Sequence, residues 1–455
     1  MSDKTNQADV FEDHAVSAVP KEQQRSFTGM FMVYTGVLVC MAVIWTGGEL
    51  GRGLALNNMI LAILGGSVIT AIIGLLTGII GGYTRTSTYV ILRHSFGRYG
   101  SMVAGAAVSG ISCGIGWFFI QAWLFSEVME TISLELWGSV PYLFQGHISA
   151  FWGAILMTLT AIFGFKGLAL LSYVTVPLFI VILGGGSVAA ITEAGGFSQI
   201  AQATPAEPMT IGAAITAIVG SYIAGATISP DIARYAAKPT HGGWAWFWQV
   251  LFMQPLLFLA AGLLTLLTPQ ADVAEAMAHL GIGVGALLIV ILGQWTTNDN
   301  NLYNGALAFA NTIKVKKAVI TGILGFVGAI LASLTALGVF GADPFMTFLN
   351  QLGRFLPPIA GILIADFYIL KPYLQGKKDP ENRYQFGPGT EYACINWVGI
   401  LSWIGAGYFS VYLPGIVALN SILLSFIAFI ILTYTCEMFN IQYTSGSYVE
   451  ESTGF

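Results

Sequence analysis

The stretch GQWTTNDNNLYNGALAFAN, Gly293 to Asn311, follows the apolar run GIGVGALLIVIL with no turn signal between them. Gln294, Thr296, Thr297, Asn298, Asp299, Asn300 and Asn301 crowd into eight consecutive positions of one prospective helix. In water such a run is an ordinary solvated face. In a bilayer each of these groups is costly unless it lines a cavity or finds a partner. The solvent around the chain therefore decides how the stretch is read.

Composition identifies that solvent. The chain has 455 residues, 55% of them hydrophobic and 9% charged, with a mean hydropathy of +0.74. A soluble domain carries about 25% charged residues. Apolar stretches of about 20 residues, long enough to span a bilayer as helices, recur roughly twelve times. They lie near 28–56, 58–82, 99–130, 149–165, 168–192, 210–229, 244–268, 281–311, 318–340, 345–370, 392–412 and 415–436. The expected fold class is an all-α integral membrane protein with twelve transmembrane helices. The first 26 residues are polar and lack an apolar core segment, so no cleavable signal is expected. Cys40, Cys113, Cys394 and Cys436 sit in apolar runs without metal or CxxC spacing and read as small buried hydrophobes. A net charge of −5 and the lack of a basic tract give no sign of nucleic-acid binding.

Loop charges support twelve spans with both ends inside. One set of loops holds Arg85, Arg93 and Arg98; Lys166; Arg234 and Lys238; Lys314, Lys316 and Lys317; and Lys371, Lys377, Lys378 and Arg383. Lys4, Lys21 and Arg25 lie in the N-terminal tail. The alternate loops hold Glu127, Glu130, Glu135, Glu193, Glu207, Asp272, Glu275 and Asp343, with only Arg52 and Arg354 near them. The positive-inside rule is obeyed throughout.

Span 1 contains Gly36 and the Thr46-Gly47-Gly48 cluster. Span 6 contains Gly220-Ser221 and Gly225-Ala226-Thr227 and stops at Pro230. Glycine-interrupted helices five spans apart point to an inverted-repeat transporter with its site at the breaks. Glycine is also common in membrane helices for packing alone.

Three segments carry candidate chemistry. In span 3, Gly110, Gly114, Trp117 and Gln121 share one helical face. Small residues beside an indole leave a slot for a flat heterocycle, and the Gln121 amide can read its rim. The same stripe also serves helix packing. In span 6, Ser221 and Tyr222 adjoin the glycine break, where an unwound backbone would bind a polar solute. Tyr222 would close the second side of a stack. In span 8, Gln294, Asn298 and Asn301 line up, while the Thr296 and Thr297 hydroxyls, with main-chain carbonyls, suit a small alkali cation. Asp299 is the one carboxylate deep in this segment, either structural or proton-binding. Asp231 and Arg234, at i, i+3 spacing, suggest a local ion pair. Arg93, His94 and Arg98 suggest an amphipathic loop on the inner membrane surface. Pro357-Pro358 interrupts span 10 and is a possible hinge. No nucleophile–base pair, phosphate loop or zinc motif is present, so no enzyme is expected. The polar residues do not recur as the rings of a channel.

The segments IWTGGELGRGL (Ile44 to Leu54), GWFFIQAW (Gly116 to Trp123), VGSYIAGATISPDIARYA (Val219 to Ala236), GQWTTNDNNLY (Gly293 to Tyr303) and PPIAGILIADFYI (Pro357 to Ile369) resemble the nucleobase–cation–symport-1 family, and its cytosine permease branch in particular. The resemblance implies a LeuT-like five-plus-five inverted repeat with two extra helices, working by alternating access. It implies repeats at 27–192 and 210–371, spans 11 and 12 within 392–436, and cytoplasmic tails at 1–26 and 437–455. By position it also implies that Trp117 and Tyr222 stack on the solute and that Asn298 and Ser221 are polar positions beside it. Thr296, Thr297 and the carbonyls of Gly293, Gly36 and Val39 would hold sodium. Cytosine permeases carry a binding glutamine where this chain has Gly114, whereas Gln121 follows the hydantoin pattern. Ala224 replaces a span-6 serine of the cytosine type.

The expectation is a monomeric inner-membrane symporter without a cofactor. It would import a nucleobase, cytosine first, or a related small heterocycle, with Na+ as the coupling ion. One alternative is proton coupling through Asp299 or Glu49, with a hydantoin, allantoin, purine or hydroxymethylpyrimidine-type substrate. Another is a membrane sensor with little transport, for which the motif-poor tails offer no output domain.

Overall fold

The computed structural model describes residues 19–450 apart from 164, 271–272, 311–314 and 342. Lys4, Asp272, Lys314 and Asn311 lie outside the described residues, as do the side chains of Lys21, Lys166 and Thr296.

Each apolar stretch is helical, because a backbone without water satisfies its N–H and C=O groups within the segment. The first stretch is a pair, α1 (Phe27–Leu38) and α2 (Met41–Gly53), followed by α3 (Leu56–Thr84) and the short α4 (Thr88–Phe96). Next come α5 (Arg98–Trp137), α6 (Gly146–Phe163), α7 (Phe165–Glu193), α8 (Ile211–Thr227) and the short α9 (Ser229–Ala233). The chain continues through α10 (His241–Leu267), α11 (Val284–Ala310), α12 (Lys317–Ala336), α13 (Pro344–Leu374), α14 (Trp397–Phe409) and α15 (Val417–Met438). Among the described residues, α3, α5, α10, α12, α13 and α15 are long and apolar enough to cross a bilayer, and α1 with α2 adds a seventh span as a bent pair.

Two groups of helices form the interior. In one, α1, α2 and α8 pack around α3 and α10. In the other, α5, α6, α11 and α12 pack on one another. Each group joins spans to their counterparts five spans on: 1, 2, 6 and 7 in the first, 3, 4, 8 and 9 in the second. The first half of α13 lies against α8, and its second half lies against α15.

The breaks differ from those expected. Span 1 does not break at Gly36 or at Thr46-Gly47-Gly48. It bends by 61° between α1 and α2, where Val39 (φ −76°, ψ 88°) and Cys40 (φ −145°, ψ 163°) leave helical geometry. Gly47 instead lets α2 approach α10: a Cβ there would lie 2.7 Å from Ala261 Cβ and 2.8 Å from the Phe258 carbonyl oxygen. Span 6 runs unbroken through Gly220 and Gly225 and turns only at Ile228 (φ −92°, ψ 12°), just before Pro230. Gly220 brings α8 against the backbone of Leu349 on α13. These glycines serve close helix contact, as small residues do where apolar lipid supplies no hydrophobic drive.

The all-helical expectation has one exception. Strand β1 (Glu391–Asn396) pairs antiparallel with β2 (Thr444–Val449), with Glu391 opposite Val449 and Asn396 opposite Thr444. Span 11 therefore starts at Trp397 rather than near residue 392, and part of the expected C-terminal tail is ordered in a sheet.

Candidate functional site

Between Ala106 and Trp117, α5 is wound as a π-helix. Its i→i+5 hydrogen bonds rotate the side chains away from the face that α-helical spacing predicts. Gly110 and Gly114 are consequently taken up by contact with α11. A Cβ on Gly110 would lie 2.6 Å from the Phe309 ring, and one on Gly114 2.7 Å from Gly305 Cα. The packing alternative describes this stripe; the two glycines do not leave an open slot. Trp117 is buried and meets two rings of α13 at steep angles: Phe348 at 5.0 Å and 87°, and Phe345 at 6.5 Å and 68°. The next residue along, Leu349, touches Gly220 of α8. The first half of α13 thus touches both Trp117 and the helix that carries Ser221 and Tyr222.

The polar run of α11 is used in three directions. Gln294 and Asn298, one turn apart, reach back to α5. The Gln294 Nε2–H donates to the Gln121 carbonyl, and the Asn298 Nδ2–H donates to the Phe118 carbonyl at 3.1 Å. The second direction is within the helix, where the Thr297 hydroxyl donates to the Gly293 carbonyl at 3.2 Å. The third is towards α6, where the Thr160 hydroxyl lies 3.1 Å from Asp299 Oδ1 and accepts the Trp295 indole N–H at 2.9 Å. Much of the run is therefore satisfied by neighbouring helices, and a cavity explains only part of it.

Part of it remains unsatisfied. Gln121 Oε1, Gln294 Oε1 and Asn298 Oδ1 are all buried and have no hydrogen-bond partner among the described residues. A buried amide oxygen left alone costs about 1–3 kcal/mol. These three belong to residues joined across α5 and α11 by the two hydrogen bonds just described. Sequence spacing singled out Gln121, and the family resemblance singled out Asn298; spacing put Gln294 in line with Asn298 without giving it a role at the solute.

On the opposite side, Ser221 donates to the Ile218 carbonyl at 2.7 Å, as a hydroxyl does inside an intact helix. The unwound backbone expected beside Ser221 is not there, because the helix continues for another turn and a half. Tyr222 stacks on Trp246 of α10 at 4.7 Å and 15°, and its hydroxyl donates to the Tyr34 carbonyl at 3.4 Å. Gly36 lies in the last turn of α1 and Val39 in the extended link. A helix end leaves its last carbonyls without intrahelical partners, so this bend exposes oxygens near α2, and α11 packs against α2. Glu49 pairs with Arg52 at 3.3 Å, and Arg52 with Glu207 at 2.6 Å, at the acidic end of the bundle.

One loop expectation gains a partner and another changes. The Asp231 carboxylate accepts the Thr88 backbone N–H at 2.6 Å, while Arg234 Nε donates to the Asp231 backbone carbonyl at 3.0 Å. The pair thus ties span 6 to the start of α4. Arg93 and His94 belong to the short helix α4. They are docked under the small sheet, with Arg93 paired to Glu450 at 2.8 Å and His94 stacked on Tyr384 at 4.3 Å and 5°. Burial, and next the Lys371 charge, hold the His94 imidazole well below its ordinary pKa.

Comparison with known proteins agrees with this architecture. A sequence profile for permeases of cytosine/purines, uracil, thiamine and allantoin matches residues 18–439. A cytosine permease of Escherichia coli K12 is 30% identical over 421 residues, covering 91% of this chain and 92% of its own. The inward-facing structure of Mhp1 superimposes with a TM-score of 0.75 at 18% identity, over 92% of this chain and 93% of that one. Mhp1 in a closed conformation with bromovinylhydantoin bound, a nucleobase-cation-symport-1 family transporter, gives 0.67 at 17% identity, over 93% and 96%.

Proposed function

The chain belongs to the family of permeases for cytosine/purines, uracil, thiamine and allantoin, and we propose that it is a sodium-coupled symporter of a planar, amide-bearing heterocycle, with cytosine first. It is a multi-pass membrane transporter with the inverted-repeat fold, not an enzyme. On our reading the repeats cover 27–192 and 210–371, the basic end and both tails face the cytoplasm, and the monomer is the working unit in the inner membrane.

The observation that carries the solute reading is three buried amide oxygens on the facing helices α5 and α11 that have no partner among the described residues: Gln121 Oε1, Gln294 Oε1 and Asn298 Oδ1. All three are acceptors. A ligand that satisfies them needs N–H donors on a rigid rim, and cytosine has an amino group and a ring N–H. Trp117 and Tyr222 supply the stacking surfaces, and Ser221 a hydroxyl beside them. Gly114 acts in this reading only by letting α5 and α11 approach.

For the ion, Thr297 and the Gly293 carbonyl offer adjacent hard oxygens, with Thr296 adjacent in sequence and the carbonyls of Gly36 and Val39 at the span-1 bend. Sodium joining these two elements fixes one conformation and preorders the solute pocket. The coupling is then the ion's differential affinity for the two states.

The test is equilibrium binding of cytosine, uracil, hypoxanthine, allantoin, benzylhydantoin and hydroxymethylpyrimidine to the purified chain, in sodium and in choline. Binding of one member that requires sodium is the expected result. Binding indifferent to sodium rules out the ion assignment and favours proton coupling. Failure of every member to bind in either salt rules out the solute class.

A further inference from the structure

The segment HGGWAWFWQ (His241 to Gln249) holds three tryptophans within five residues. Trp244 and Trp248 are 42% and 40% exposed, as expected of residues facing the surroundings of the bundle, whereas Trp246 is 1% exposed. Trp246 is held on several sides. Its indole N–H donates to the Thr70 carbonyl of α3 at 3.2 Å. Gly74, one turn along α3, has no side chain where the indole lies. The Tyr34 ring meets it edge-on at 5.2 Å and 90°. It also makes a parallel stack on Tyr222.

Tyr222 is constrained in turn. One ring face is covered by Trp246 and its hydroxyl is tied to the Tyr34 backbone. Tyr34 is itself anchored through its own hydroxyl to the Ser229 carbonyl at 3.2 Å. Gly225, three residues after Tyr222, keeps the two rings close: a Cβ there would lie 3.1 Å from both Trp246 Cη2 and Tyr222 Cε2. Tyr222 is itself buried, so with one face covered and its tip tied the opposite face is the one a ligand would have to use.

We infer that Trp246 is the positioning residue of the solute stack: it backs one face of Tyr222, so that only the opposite face meets a planar heterocycle. Spans 2 and 7 thereby set the angle at which span 6 presents its aromatic. The inference rests on the reading that Tyr222 lies at the solute.

The test uses the purified full chain in sodium, with labelled cytosine as the probe. Trp246→Leu is expected to weaken binding about tenfold by freeing the Tyr222 ring, and Trp246→Phe to stay within about threefold, the range set by an aromatic pair. Tyr222→Leu weakens binding by itself. In the Tyr222→Leu background, Trp246→Leu adds no further loss, because there is no ring left to position. A merely structural tryptophan gives the same fold-loss in both backgrounds, and that result overturns the inference. If Trp246→Leu does not fold, Gly225→Ala decides. It pushes the rings apart without removing either, and cytosine affinity equal to wild type in a folded Gly225→Ala protein overturns the inference. Unchanged binding by Tyr222→Leu refutes the underlying site; weakened binding by Tyr222→Leu with unchanged binding by Trp246→Leu refutes only the role of Trp246.

Discussion

The side-chain amide of Asn298 donates to the main-chain carbonyl of Phe118 at 3.1 Å, across the contact between spans 8 and 3. The same amide leaves its own oxygen unpartnered. One residue thus locks two helices together with one atom and presents an acceptor with the other.

Asn298→Leu tests both roles. The substitution removes the side-chain bond to the Phe118 carbonyl, which keeps its helical donor, at a net cost of about 0.5–1.5 kcal/mol. The melting temperature in detergent should fall, and solute binding should be lost. Asn298→Asp cannot donate when ionised and should also fail. A leucine variant with wild-type melting and wild-type cytosine affinity would refute both roles.

Trp117 and Thr297 should separate the two ligands. Trp117→Ala removes a stacking surface and should abolish solute binding while leaving sodium-dependent stabilisation measurable. Thr297→Ala removes a hydroxyl beside the Gly293 carbonyl. It should shift the sodium titration of solute binding to higher concentration and leave the ranking of heterocycles unchanged. Identical sodium titrations in wild type and Thr297→Ala would remove Thr297 from the ion site.

Gly114→Gln should not produce a cytosine permease. Restoring the glutamine of the cytosine branch puts a side chain where Gly114 meets Gly305 Cα, with the first carbon only 2.7 Å away. Spans 3 and 8 would be forced apart, and the protein should aggregate on size exclusion. A monodisperse Gly114→Gln protein with raised cytosine affinity would show that this contact opens readily.

His94 should give the fold an acid limit. Burial and then Lys371 disfavour its charged form in the folded protein relative to the ordinary value of 6.5. Above about pH 6.5 both states hold a neutral imidazole, and the stability is fully present. As the pH falls through 6.5 the unfolded chain binds a proton that the folded chain does not, and stability declines. His94→Phe keeps the stack on Tyr384 and removes the titration. Its melting temperature should fall less steeply between neutral and acid pH, and an unchanged slope would dismiss His94 as the source.

The Arg93–Glu450 pair joins α4 to the end of β2, with side chains 9% and 14% exposed. Glu450→Gln leaves a largely buried guanidinium without its counter-charge, which typically costs about 3 kcal/mol or more. Proteolysis of the C-terminal segment should become faster. Truncation after Tyr443 should expose α4 in the same way. Wild-type protease resistance in Glu450→Gln would mean that backbone pairing of β1 and β2 alone holds the strand.

Much of this was legible in order of residues. Low charge and repeated apolar runs require helices, because a backbone in lipid has no other local partner for its polar groups. The crowded amides of span 8 asked for an explanation, Gln121 and Trp117 stood out by spacing, and Asn298 by the family resemblance. The glycines misled. Gly47, Gly114 and Gly220 looked like breaks or a slot and are contacts, since a missing Cβ signals close approach without naming what approaches. The π-winding of Ala106–Trp117 rotates a face that was assigned on α-helical spacing. Trp246 was hidden between two tryptophans of identical composition, and the C-terminal strand lacked any partner within its own segment.

The chain by itself determined the solvent, the helices and the residues expensive enough to require an explanation, because those depend on local composition and periodicity. Only the tertiary structure decided which polar atoms are already satisfied and which still seek a ligand. That difference depends on which helix lies opposite: Gln294 Nε2 finds the Gln121 carbonyl and Asp299 Oδ1 meets Thr160, while Gln294 Oε1, Asp299 Oδ2 and Gln121 Oε1 find nothing among the described residues.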